Sequence, residues 1–431
     1  MSSSREPEHE AASAQEGPVP PGSRLYLLLT LHFPAIALGF GTGVIAPVLP
    51  GLARSFDVGI GVATLVFIVQ AAGSAASAIP TGILIDRIGR RKVLLAGPVV
   101  TAIGSFLVAA ATSFPELLVY LFIGGWGSQM WMLSRLTIVA DTGEARQRGR
   151  QITSMHGVAR IGTLLGPALG GLIAVVLGLR APFILHGVMA LVAVAPSYFV
   201  LRETAPARGS GAKGVRGGGD AQPDSSWRAL LANPIPTVFG AVFMANMARG
   251  GAALRGGNGP IFLYATYAYG IGPATIGALS SAMGVASIPI LFVAGFIMDR
   301  FGRKFTIVPS LTLIGVSLLL VTATSYASLS FSVFVAAYVA LQLSISLMGG
   351  SMQTLGSDIA PAHARGKFFG ASRLVANSGA MSSPISFALL SQFAGFTAAF
   401  AFRSLIGFAA ALVFGFFVKE TLKRTPPDDS A

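Results

Sequence analysis

Five arginines sit inside long apolar runs: Arg135, Arg160, Arg249, Arg255 and Arg373. All 17 acidic residues can be placed outside those runs, in the terminal segments, in polar loops or at the run ends. Guanidinium groups with no carboxylate at the same depth suit an anion, held by charge-assisted hydrogen bonds. Spacing sharpens the reading. His156 and Arg160 are four apart and share a helix face. Arg373 and Asn377 repeat the pair 217 residues later. The two pairs are polar faces at matched positions, able to bind an anion or to clamp backbone carbonyls. Arg249, close to Asn246, is a further solute candidate. His32 could carry a proton near neutral pH or rest neutral in a core. Gln129 and Gln342 could hydrogen-bond a solute or bridge helices. Arg135 precedes Asp141 by six residues and is expected to pair with loop acids. Arg255 reads as an interfacial side chain. The chain has no cysteine, so it has no disulfide and no thiolate metal site. It has no Walker A loop, paired carboxylates, metal-ligand cluster or nucleophile constellation, so no metal, cofactor or enzyme activity is expected.

The elements that must position these residues follow from composition. Hydrophobic residues make up 53% and charged residues 11%, against a soluble norm of about 25% charged. Runs of about 20 apolar residues cross a bilayer as helices. Twelve spans are expected, near 25–49, 59–85, 93–112, 116–140, 152–177 and 182–201, then 235–263, 274–298, 305–324, 328–357, 368–392 and 396–418. On this layout Arg160 lies roughly 12–15 Å from the inner surface and Arg249 roughly 20 Å. The formal net charge of +13 comes from bases in short loops between spans. That pattern fits the positive-inside rule better than nucleic-acid binding. It places both termini in the cytoplasm and the protein in the plasma (inner) membrane. Residues 1–24 read as a disordered cytoplasmic tail without a signal peptide.

One stretch occurs twice. Gly82-x3-Asp86-Arg87-x-Gly89-Arg90 recurs as Gly295-x3-Asp299-Arg300-x-Gly302-Arg303, 213 residues later. Gly82 and Gly295 are expected to let a helix end approach its neighbour. Gly89 and Gly302 are expected to supply positive φ. The aspartates suit salt bridges or a helix N-terminus. Asp141 and Asp358 follow spans 4 and 10 at an offset of 217, and Arg202-Glu203-Thr204 matches Lys419-Glu420-Thr421 at the same offset. The chain is therefore two copies of one unit. The expected fold is an all-α membrane protein of twelve transmembrane helices in two pseudo-symmetric six-helix bundles. These are residues 25–201 and 235–420, joined by a cytoplasmic loop, 202–234, and followed by a tail, 421–431.

The repeated loop resembles the hallmark loop of the major facilitator superfamily, and the resemblance covers about residues 25–420. It implies secondary transport by alternating access, with a solute site near the midplane between the halves. It implies that Asp86, Arg90 and Asp141 form a charge latch in the first half, and Asp299, Arg303 and Asp358 in the second. Gly162-x3-Gly166-Pro167-x2-Gly170-Gly171 looks like the helix-5 signature of twelve-helix drug/proton antiporters. Export of a small organic compound is thus expected, and the basic spans favour an anionic one. Protons or another ion would couple it, and a monomer in the bilayer would suffice. Uptake of an organic anion by symport or exchange is the alternative. A non-transporting membrane sensor is a more remote one.

Overall fold

The computed structural model describes residues 28–142, 148–200, 235–250, 259–360 and 365–421, without the side chains of 31, 139–142, 148–160 and 365–367. The expected tail 1–24, the loop 202–234, Arg255 and nearly all of the tail 421–431 fall outside these residues. The described residues are helical and contain no strand. A π-helical turn, Leu28–His32, leads into α1 (Phe33–Ile45). Then come α2 (Leu49–Arg54), α3 (Ile60–Ala63), α4 (Leu65–Ile88), α5 (Arg90–Ala110), α6 (Phe114–Thr142), α7 (Arg148–Leu177) and α8 (Ala181–Val200). The second half has α9 (Ile235–Ala248), α10 (Gly259–Tyr269), α11 (Pro273–Phe301), α12 (Lys304–Tyr326), α13 (Phe331–Leu347), α14 (Ser351–Ile359) and α15 (Arg365–Phe417). Gly395, at φ +77°, breaks α15 in two. Among the described residues, eight helical stretches are long and apolar enough to cross a membrane, and Ile161–Leu177 and Ile235–Ala248 are shorter apolar helices. Helices satisfy their own backbone groups, which is why an apolar chain in lipid takes this form.

The chain forms two compact units. The first holds residues up to 48 and 69–212; the second holds 49–68 and 213–431. In the first, Ala35, Leu38, Leu94, Trp131, Ile138 and Ala190 share a core. Small residues let its backbones meet. A Cβ on Gly162 would lie 2.5 Å from Ile36 O and Phe40 N, and one on Gly166 2.6 Å from Phe40 O. On Gly170 it would strike Val44 O and lie 2.6 Å from that residue's C and Cα. Pro167 packs on Gly43. The stripe of α7 thus rests directly on the α1 backbone. Between α5 and α6 the same device uses Gly97, Gly104 and Gly127.

The second unit is richer in aromatic rings. Tyr264 meets Tyr269, Phe334, Phe396 and Phe400 edge-on. Gly379, the repeat partner of Gly162, sits against the Phe243 carbonyl of α9. Residues 49–68 are held here too: Arg54 Nη1 donates to Thr266 O at 2.5 Å, and its guanidinium lies 5.5 Å from the Tyr267 ring centre. Tyr267 Oη donates to Val58 O at 2.9 Å, and Gly61 lies against Gln392 and the Ala388 carbonyl.

One expectation about packing fails. A Cβ on Gly82 or on Gly295 would have nothing within 4 Å. Among the described residues, neither glycine mediates a close approach within its own unit. The close approaches occur at Gly73, which meets Phe122 O, and at Gly125, which meets Gln70 O.

Candidate functional site

The repeated loops are sharp reversals between helices. Gly89 has φ +94° and Gly302 φ +112°, as the loop pattern requires. Their N–H groups donate to Ile85 O at 3.1 Å and to Met298 O at 3.2 Å. In the second unit, Arg303 Nε lies 2.9 Å from Asp358 Oδ2. Thr421 Oγ1 donates to the same oxygen at 2.7 Å. Glu420 accepts from Arg303 N at 3.1 Å and from Lys304 N at 2.9 Å. A carboxylate there caps the first turn of α12 and meets the positive end of its dipole. Gly302 leaves room for it, since a Cβ would lie 2.5 Å from Glu420 Cδ.

The expected trio is therefore only partly assembled. Arg303 and Asp358 meet, but Asp299 is exposed and makes no ion pair or hydrogen bond among the described residues. It stands before the reversal at Gly302, while the orphan N–H groups lie after it, within reach of Glu420. Asp86 is likewise exposed and unpaired among the described residues. The Asp141 side chain falls outside them. Arg90 is half-buried and Arg87 exposed. Arg91, next in the loop, donates from Nη2 to Tyr198 O at 2.7 Å. Arg300 lies 5.9 Å from the Phe296 ring centre.

Of the solute candidates in the first unit, His156 and Arg160 lie on α7, one turn apart, with side chains outside the described residues. Gln129 on α6 is half-buried, as is His32, which ends the π-helical turn. Arg135 is 3% exposed and lies 4.0 Å from the Trp131 ring centre. A cation desolvated over indole is stabilised by the ring quadrupole. In the second unit, Asn246 is 8% exposed and spends Nδ2 on Val242 O at 2.8 Å. Arg249 is half-buried just past the end of α9. Arg373 and Asn377 on α15 are both exposed. Gln342 Oε1 on α13 is buried and has no hydrogen-bond partner among the described residues. Such an atom costs free energy unless something else meets it. His186, on α8, and Arg403, on α15, were not singled out by sequence reasoning, and both are buried. Their signal was available: they stand at equivalent repeat positions, 217 apart. Among the described residues no group of three His, Cys, Asp or Glu could hold a metal ion.

Two helical repeats with matched reversals at Gly89 and Gly302, and a glycine-lined helix seated on α1, make up the arrangement. The Major Facilitator Superfamily model matches residues 31–254 and again 250–431, and the chain belongs to that family. It is 26% identical over 186 residues to the quinolone resistance protein NorA of Staphylococcus aureus (strain MRSA252), covering 43% of this chain and 47% of that protein. It is 30% identical over 158 residues to the multidrug resistance protein MdtL of Klebsiella pneumoniae (strain 342), covering 37% of this chain and 40% of that protein. The chain thus spans less than half the length of these curated relatives. Among solved structures, a bacterial homologue of the iron transporter ferroportin in an inward-facing state matches with a TM-score of 0.71 at 17% identity, over 92% of this chain and 100% of that one. A D-xylose–proton symporter matches at 0.70 and 18%, over 92% and 98%. These likenesses carry the fold.

Proposed function

We propose that the chain is a secondary transporter of twelve spans that exports a small organic compound, preferably an anion, by alternating access. The observation that carries export is the stripe of Gly162, Gly166 and Gly170 lying on the α1 backbone. These glycines belong to the pattern that looks like the antiporter helix-5 signature, and two relatives are named for drug resistance. Glycines at such a contact let one helix slide and flex against another without losing its packing.

Anion preference rests on the basic spans. Arg160, Arg249 and Arg373 supply charge, and His156, Asn246, Asn377, Gln129, Gln342 and His32 supply hydrogen bonds. The orphan Gln342 Oε1 adds weight to that residue. Arg303 with Asp358 forms the latch of the second half, with Gly89, Arg87, Arg90 and Asp141 at the matching place in the first. Both termini are cytoplasmic, the bundles are 25–201 and 235–420, and the protein works as a monomer in the plasma membrane without enzymatic chemistry. Protons or another ion drive it. Efflux from preloaded cells tests the direction: faster loss of an organic anion than from cells without the protein is expected, and faster uptake with unchanged loss would refute export.

A further inference from the structure

We propose that Arg403 and the first turn of α10 bind a small monovalent anion, a chloride ion or a carboxylate group. The site holds that anion whether or not the protein carries it, so a failure of the export reading leaves it standing.

Arg403 is a buried charge with too few partners. It is 1% exposed and donates from Nη2 to Ala248 O at 3.1 Å. Ala248 is the last residue of α9. Gly250, at φ +74°, leaves the room, since a Cβ there would lie 2.8 Å from Arg403 Cζ. Nε and Nη1 are buried and have no hydrogen-bond partner among the described residues. A guanidinium keeps its proton in proteins and has five N–H donors. Leaving charged donors buried without an acceptor is costly. The end of α9 offers the equivalent of about half a negative charge, so about half of the cation is left unmatched.

No carboxylate makes up the difference. α9, α10, α12, α13 and α15 contain no Asp or Glu. α11 has only Asp299, in its last turn, and α14 only Asp358, which Arg303 takes. Asp57 is exposed and stands next to Val58, whose carbonyl meets Tyr267 near the far end of α10. Residues 251–258, between α9 and α10, hold no acid and one further base, Arg255. Arg249, just past Ala248, adds another cation.

The start of α10 lies at the same depth. α15 runs antiparallel to this part of the chain: Arg403 meets Ala248 and Gly250, while Phe396 and Phe400, earlier on α15, meet Tyr264 at ring distances of 4.8 and 5.3 Å. From those two rings to Arg403 is a rise of about 7 Å, and from Tyr264 back to Gly259 it is about 7.5 Å. Gly259 opens α10, so its first turn is level with the guanidinium. A first turn leaves N–H groups without intrahelical partners and carries partial positive charge. Pro260 has no N–H, so Gly259, Ile261 and Phe262 supply the donors. A helix start and a buried guanidinium at one depth, with no acid, suit an anion held by charge-assisted hydrogen bonds. They repel a metal ion or an ammonium group.

The test uses the full chain in lipid nanodiscs and hydrogen–deuterium exchange. Sodium chloride, sodium benzoate and, as the ionic-strength control, sodium sulfate are added in turn. An anion at about ten times its Kd should slow exchange at Gly259, Ile261 and Phe262 about tenfold and leave the first two turns of α9 unchanged. Slowing by chloride alone assigns the site to an inorganic ion. Slowing by benzoate, with or without chloride, assigns it to the carboxylate of an organic solute. Either result supports the site; no slowing with chloride or benzoate, or equal slowing with sulfate, would overturn it. Arg403→Gln should abolish the slowing, and slowing retained in that variant would overturn the role of Arg403. Should Arg403→Gln fail to fold, Arg403→Lys keeps the charge and loses the planar fork; it should bind the same anion more weakly, and unchanged affinity would overturn the guanidinium's part.

Discussion

Replacing Gly170 with Ala puts one methyl group against a backbone that cannot rotate away. The added Cβ would lie 2.6 Å from Val44 C and Cα and closer still to Val44 O. Comfortable carbon–carbon contact is about 3.5–4.0 Å, so α7 and α1 must part by about 1 Å. A gap of that size forfeits about a quarter to a half of each contact's attraction, and overpacking typically costs about 1–3 kcal/mol. Ala for Gly in a helix returns about 0.5–1 kcal/mol. The net loss is about 1–2 kcal/mol, or about 2–8 °C for a unit of this size. The control is built into the molecule. At Gly82 and Gly295 the Cβ meets nothing within 4 Å, so Gly82→Ala and Gly295→Ala keep only the gain of about 0.5–1 kcal/mol. Thermal unfolding followed by tryptophan fluorescence compares the three variants in one detergent. Gly170→Ala should melt below the parent and the other two at or above it. Equal melting of Gly170→Ala and the parent, or a fall in Gly82→Ala, would refute the reasoning.

Three more outcomes are expected. Gln342→Leu removes a buried acceptor that has no partner among the described residues, so stability should hold or rise by about 1 kcal/mol while transport falls; unchanged transport would make Gln342 a helix-packing residue. Glu420→Ala strips the cap from Arg303 N and Lys304 N and should cost about 1 kcal/mol, read as faster amide exchange in the first turn of α12; unchanged exchange would contradict the cap. Arg54→Ala removes the hold on Thr266 O and Tyr267, so amides of residues 49–63 should exchange faster, whereas Arg87→Ala should leave them alone.

Much of this molecule is legible in its sequence, because a bilayer admits few structures. The doubled loop gave the two repeats, and Gly89 and Gly302 behave as the reversal demands. The helix-5 glycines were readable as a stripe because spacing of four places them on one face. What stayed hidden depended on side-chain direction across helices. Asp299 looks like the acid of the latch, yet Glu420, over a hundred residues away, reaches the free N–H groups. Gly82 looks like a packing glycine, yet among the described residues of its unit nothing lies within 4 Å of where its Cβ would be. Arg403 is buried and reaches Ala248 O at the end of α9, a contact made across helices that its place within an apolar run does not reveal. Arg135 also lies over the Trp131 indole one turn before it, a stacking face that its spacing to Asp141 did not announce.

A basic site that carries organic anions has one decisive consequence, anion flux that depends on its arginines. Purified protein in liposomes, presented with organic anions, cations and neutral drugs while lumenal pH and membrane potential are followed, tests it most directly. Anion-dependent flux that Arg160→Ala abolishes is expected, with the pH and voltage responses giving the coupled ion. Flux of cationic drugs that survives Arg160→Ala, with no anion response, would contradict it.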